Sequence, residues 1–175
     1  MEEKPVSLWK SSLTYGLYLG IAMILVSVIY YATGNTFAKS AQWVTYGVMI
    51  AGVIIAQLSY RKSLGEVMTY GQALGIGVLT MVFASVLAGF YTYLLYGIID
   101  PSLQEQLRLS TEEQIVRQGK VPEEQIDMAV EVAAKLQKPA IMFAMSIFGG
   151  ALIGLVISLI TSIFTKKIPQ EDFSE

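Results

Sequence analysis

The sequence predicts an all-α integral membrane protein, with four transmembrane helices and an amphipathic helical cap between the third and fourth. Three observations carry that expectation. Its 175 residues are 54% hydrophobic and 15% charged, with a mean hydropathy of +0.54, more apolar surface than one soluble core of ordinary composition can hide. Four runs (residues 13–33, 41–60, 70–99 and 140–165) contain no Asp, Glu, Lys, Arg or His and are long enough to span a hydrocarbon core of about 30 Å. The tyrosines fall near the predicted span ends, Tyr15, Tyr18, Tyr60 and Tyr70 on one side and Tyr30, Tyr31, Tyr46, Tyr91, Tyr93 and Tyr96 on the other, with Trp9 and Trp43 joining the respective aromatic belts.

The first run follows a short segment of mixed charge containing Lys4, Trp9 and Lys10. It is too long for a signal-peptide core, and Thr36 and Ala38 make a poor cleavage site, so it reads as a retained span. Ser12, Gly16 and Gly20 place small residues on one face at a spacing of four. Gly34, Asn35 and Lys39 form a short polar connection, which returns the second run antiparallel beside the first until Arg61 and Lys62 stop it. After Gly65, Glu66 and Thr69 the chain re-enters at Tyr70 for about 30 uncharged residues, more than a bilayer requires, so this helix must tilt, bend near its glycines or extend beyond the lipid. Gly71 and Gly75 are its candidate packing residues.

Residues 101–138 form the water-compatible segment, carrying Glu105, Glu112, Glu113, Glu123, Glu124, Asp127 and Glu131 against Arg108, Arg117, Lys120, Lys135 and Lys138. Ser102 with Glu105 and Thr111 with Gln114 have capping-box spacing, and Gly119 followed by Pro122 marks a helix stop and restart. Beyond Pro122, Ile126, Ala129, Val130, Ala133 and Leu136 recur at helical spacing. That apolar face either rests on lipid or on the first loop, or offers a docking face to a partner protein.

The final run is about 26 residues, or about 39 Å of helix. Ser146, Gly150, Gly154, Ser158 and Ser162 recur along it every fourth residue, leaving one face almost without side-chain bulk and open to close backbone approach by another helix. Lys166 and Lys167 end it, and the tail beyond carries Pro169 and three acids.

Four spans put both termini on one side. Lys10, Arg61, Lys62, Lys166 and Lys167 lie close to span ends on that side, so the positive-inside rule places the termini in the cytoplasm of an inner membrane. The same five cations form a basic ring suited to anionic lipid head groups, worth about 1 kcal/mol per cation near the surface. A net charge of −2 argues against a nucleic-acid partner. Without Cys there is no thiolate nucleophile, and without His the commonest general base and metal ligand is missing, so no catalytic residue, cofactor or metal site is expected. Uncharged spans also disfavour proton-coupled transport, since intramembrane ionisable groups usually mark such pathways. Gln42, Gln57 and Gln72 read as solvated interfacial amides, and Asp100 before Pro101 as a turn acid that stops the third helix.

Several pieces in order resemble a known family: the Gly16 region, the Thr69-Tyr70-Gly71-Gln72-Ala73 entry to the third span, its exit from Phe90-Tyr91-Thr92-Tyr93 to Ile99-Asp100-Pro101, the Pro122-Glu123-Glu124-Gln125-Ile126 helix start, and the glycine-rich last span. They resemble the Bacteroidota membrane proteins grouped as a domain of unknown function, the one numbered 4199. The resemblance covers nearly the whole chain and implies a four-span inner-membrane protein. It brings no activity and no catalytic residue.

The function expected is non-enzymatic: a structural or accessory subunit that contacts lipids and other membrane proteins, or further copies of itself, through small-residue helix faces and an acidic periplasmic cap. The alternative is a small transporter or channel for a neutral or lipidic solute, its path lined by Thr80, Ser85 and Thr92.

Overall fold

The computed structural model describes residues 7–167, so Lys4 and the tail with Pro169 lie outside the described residues. Six α-helices follow in order: α1 (Leu8–Ala32), α2 (Lys39–Ser63), α3 (Tyr70–Leu94, continued by a π-helical turn over Leu95–Ile99), α4 (Ser102–Gln118), α5 (Glu123–Leu136) and α6 (Pro139–Thr165). α1, α2, α6 and α3 with its π-helical turn are long and apolar enough to cross a membrane. Together with α4 and α5 they give the helical architecture expected of a multi-pass membrane protein.

Local sequence sets the boundaries. Thr69 opens α3 with a capping box: its hydroxyl accepts the Gln72 backbone N–H at 3.3 Å, while the Gln72 side-chain oxygen accepts the Thr69 N–H at 2.9 Å. Gly119 closes α4 in the left-handed region (φ 61), which a residue without a Cβ adopts at little cost. The second predicted capping box is not one. Thr111 lies inside α4 and its hydroxyl donates to the Leu107 carbonyl at 2.8 Å, because a hydroxyl flanked by good helix formers is satisfied one turn back without interrupting the helix. Ser102 likewise does not cap α4; Asp100 accepts both its N–H and its hydroxyl.

α3 is the central helix, touching α1, α2 and α6. α1 runs parallel to it, with Gly16 beside Thr80 and Phe83 and Gly20 beside Ala84 and Leu87. α6 runs antiparallel to it, with Ser158 beside Gly77 and Ser146 beside Gly89. The buried hydrophobic residues form three clusters along the bundle: Ala56, Tyr60, Met68, Ala73 and Ile76 at the end carrying Leu8 and Thr165; Leu19, Met49, Val53, Met81 and Ala84 midway; Leu95, Tyr96 and Leu103 at the cap end. Tyr60 and Tyr96 are therefore interior residues rather than belt residues, at 4% and 8% exposure. α6 shows the membrane logic most clearly. Its buried residues are Gly150, Gly154, Ser158, Thr161, Ser162 and Thr165, while Phe148 and Phe164 point outward. Lipid tails are as apolar as Leu or Phe, so bulk gains little from burial and small residues win the interface.

The α4–α5 hairpin is joined to the bundle at its base. Leu103 is buried with Leu95 and Tyr96, and the Gln104 amide donates to the Tyr96 carbonyl at 3.0 Å. Farther along, the Gln137 amide donates to the Thr111 hydroxyl at 2.7 Å and ties the end of α5 to α4.

Candidate functional site

The sequence-predicted site residues fall on two surfaces, the small-residue seams and the cap. Along α3, Ala73, Gly77, Met81, Ser85 and Gly89 recur every fourth residue and face the α6 stripe. At four levels a glycine on one helix meets a side chain on the other. Ser158 and Ser146 of α6 sit where a Cβ on Gly77 and Gly89 would be, Ser85 of α3 fills the corresponding space at Gly150, and Met81 lies 2.5 Å from a Cβ built on Gly154. At the levels of Gly77, Met81, Ser85 and Gly89 one glycine thus opposes one Ser or Met, which lets α3 and α6 pack closely. Ser146 also donates to the Phe143 carbonyl at 2.7 Å and reaches the Ser85 carbonyl at 3.3 Å. Gly16 and Gly20 make the equivalent seam between α1 and α3, where a Cβ on Gly16 would stand 2.5 Å from the Phe83 Cβ. Ser12 is fully buried and donates back to the Leu8 carbonyl at 2.8 Å.

Gly71 is a correction. It is exposed, with nothing within 4 Å of where a Cβ would stand, and a Cβ on Gly75 would meet only the tip of Leu8. Residues 71 and 75 lie about 200° around the helix from 73 and 77, so spacing alone selected the wrong stripe of α3. Gly77 and Gly89, which do carry the contact, would have emerged from matching the α6 stripe against every fourth-residue set on α3.

Gln57 is the second correction. It is fully buried, its amide donating to the Ala73 carbonyl at 3.0 Å and the Ser162 hydroxyl at 3.2 Å while its carbonyl oxygen accepts from Thr165 at 3.1 Å. One side chain thereby joins α2, α3 and α6. The hydroxyls of Thr80 and Ser158 are also buried, without a hydrogen-bond partner among the described residues. Thr80 is 0% and Ser85 4% exposed, both enclosed by the seams, and Thr92 donates back to the Ala88 carbonyl.

At the end carrying Leu8 and Thr165, the α2–α3 loop is clasped to α6. Met68 and Lys167 exchange backbone hydrogen bonds at 2.8 and 2.9 Å. Arg61 donates to the Thr165 carbonyl at 3.2 Å and pairs with Glu66 at 3.5 Å. Of the five cations expected at lipid head groups, Arg61 is thus turned into the clasp, whereas Lys10, Lys62, Lys166 and Lys167 are exposed. Gly65 and Glu66 both take positive φ (74 and 68), a strained turn for Glu66 that the ion pair helps hold.

At the cap end, Asp100 does more than stop a helix. Its carboxylate accepts from Ser102 on one oxygen and from the Tyr31 hydroxyl of α1 at 3.1 Å on the other. The Ser102 hydroxyl, with help from Tyr31 and the Ser102 N–H, holds the Asp100 carboxyl below the usual carboxylate range. A carboxyl with a lowered folded pKa stabilises the fold above its unfolded pKa, and that contribution disappears as pH falls through the folded value. Asp100→Ala should therefore melt below wild type at pH 7 in detergent, and the gap should narrow as the pH falls below the usual carboxylate range. A gap independent of pH would show that the charge does not matter.

The apolar face predicted on α5 is partly occupied. Val130 is 6% exposed in the α4–α5 seam, Ile126, Ala129 and Ala133 are half-buried, and only Leu136 stands out. α4 takes this stripe as its own packing surface, the usual fate of an amphipathic helix with a neighbour. The exposed apolar side chains of the cap are instead Met128, Val132 and Leu136 on α5 with Leu109 and Val116 on α4.

No curated protein and no solved structure matches the chain. A family model described as "Protein of unknown function (DUF4199)" matches residues 14–167, nearly all of the six-helix architecture, and the chain belongs to that family.

Proposed function

We propose that this chain is a non-enzymatic inner-membrane protein acting as a structural or accessory subunit, with the cap as the surface it offers to partners. One observation carries the reading: the small-residue faces of α1, α3 and α6 are spent inside the chain's own bundle, while large apolar side chains remain uncovered on the acid-rich cap. Partner contact through the seams would require opening the bundle. Contact through Val116 on α4 or Met128 on α5 requires nothing to move. The exposed Lys10, Lys62, Lys166 and Lys167 support an orientation with both termini in the cytoplasm and the cap on the opposite face.

Purification in mild detergent from cells expressing the chain at native level tests the proposal. The expected result is a membrane protein recovered in fixed ratio with wild type and lost from Val116→Glu and Met128→Glu, both of which leave the bundle untouched. A monodisperse monomer with no co-purifying protein, or a partner indifferent to both cap substitutions, contradicts it.

A further inference from the structure

The groove between α1 and α2 is apolar at mid-bundle and has a cation on its own face at one end. Tyr15, Tyr18 and Ala22 of α1 and Val48, Ala51 and Ile55 of α2 line an open cavity of about 270 Å³. It exists because α1 and α2 meet through Leu19, which occupies the space a Cβ on Gly52 would need, while Ala22 and Ala51 leave the flank unfilled. Lys62 follows Ile55 by seven residues, about two turns or about 10 Å of helix, and at 100° per residue falls on the same face of α2. It is exposed and has no ion pair among the described residues. Lys10 of α1 and Lys39 of α2 lie well over 100° away from the groove on their own helices.

An apolar slot in the span, ending two turns below an unpaired cation at the membrane boundary, matches an anionic phospholipid: one acyl chain along the slot, the phosphate at the Lys62 ammonium, whose long stem can extend to the interface. We propose that the α1–α2 groove is a selective site for an anionic glycerophospholipid of the leaflet at the termini. A helix from a second copy would fit the apolar part but would leave Lys62 unanswered.

Native mass spectrometry of the full chain, released from vesicles containing phosphatidylglycerol and phosphatidylethanolamine in equal amounts, tests this. Wild type should retain one phosphatidylglycerol in preference. Lys62→Gln should reduce that preference about fivefold, the effect of one interfacial cation, whereas Lys166→Gln, which removes the same charge away from the groove, should change it much less. Ala51→Phe, at an exposed position, should fill the slot and lower retention of both lipids. Equal losses from Lys62→Gln and Lys166→Gln would overturn the headgroup assignment; unchanged retention in Ala51→Phe, or a stable dimer that excludes lipid from the groove, would overturn the site.

Discussion

Gly150→Ala is expected to destabilise the bundle by about 2 kcal/mol, within the range for overpacking a tight interior. The added methyl would stand 2.5 Å from the Ser85 Cβ, a stiff atom next to the α3 backbone, so relief requires α3 and α6 to separate rather than a side chain to rotate. The compensating change follows from the pairing of one glycine with one side chain at this level. Ser85→Gly alone removes a side chain from a closed interface, but combined with Gly150→Ala it restores one glycine and one small side chain at that level. The pair should then cost much less than the two single changes added together, a coupling measurable by denaturant or thermal unfolding in detergent. Additive losses would mean that the two residues do not share a site.

Gln57→Leu carries the second large effect. It removes hydrogen bonds to the Ala73 carbonyl, the Ser162 hydroxyl and the Thr165 hydroxyl from a fully buried position where three helices meet. Interhelical hydrogen bonds in membrane proteins average about 0.6 kcal/mol each, so the expected loss is about 2 kcal/mol. Thr165 softens the loss, because its hydroxyl also reaches the Thr161 carbonyl at 3.1 Å. Gln42→Leu, on an exposed face of the same helix, is the control and should leave the melting point unchanged. If both substitutions behave alike, the buried amide is not a junction of the bundle.

Helices and their order were legible because lipid imposes a coarse requirement: about 20 apolar residues per crossing, whatever their arrangement. The α6 stripe was legible too, since Ser and Gly at strict fourth-residue spacing stand out against Leu, Ile and Phe. Its complement on α3 was hidden for a physical reason. Met81 interrupts the pattern of small residues, and its fit depends on the absence of a Cβ at Gly154 on the other helix. A pairing rule of that kind belongs to two segments and cannot be read from one. Gln57 was missed for a related reason: three residues short of the end of its run, it has the position of an interfacial amide, and only the approach of α6 and the first turn of α3 buries it. Arg61 and the cap face follow the same lesson. A charge at a span end and an apolar stripe on an amphipathic helix both look available until a neighbour takes them, here Glu66 with the Thr165 carbonyl and α4, respectively.

The bundle requires the α3–α6 seam to close within one chain. Because the sequence contains no Cys, paired cysteines report on that seam without background. Gly89→Cys with Ser146→Cys should oxidise in native membranes to a disulfide inside the monomer, seen as a mobility shift without dimer, while Gly71→Cys with Ser162→Cys should stay reduced. Cross-linked dimers from the first pair, or efficient bridging through Gly71, would contradict the account.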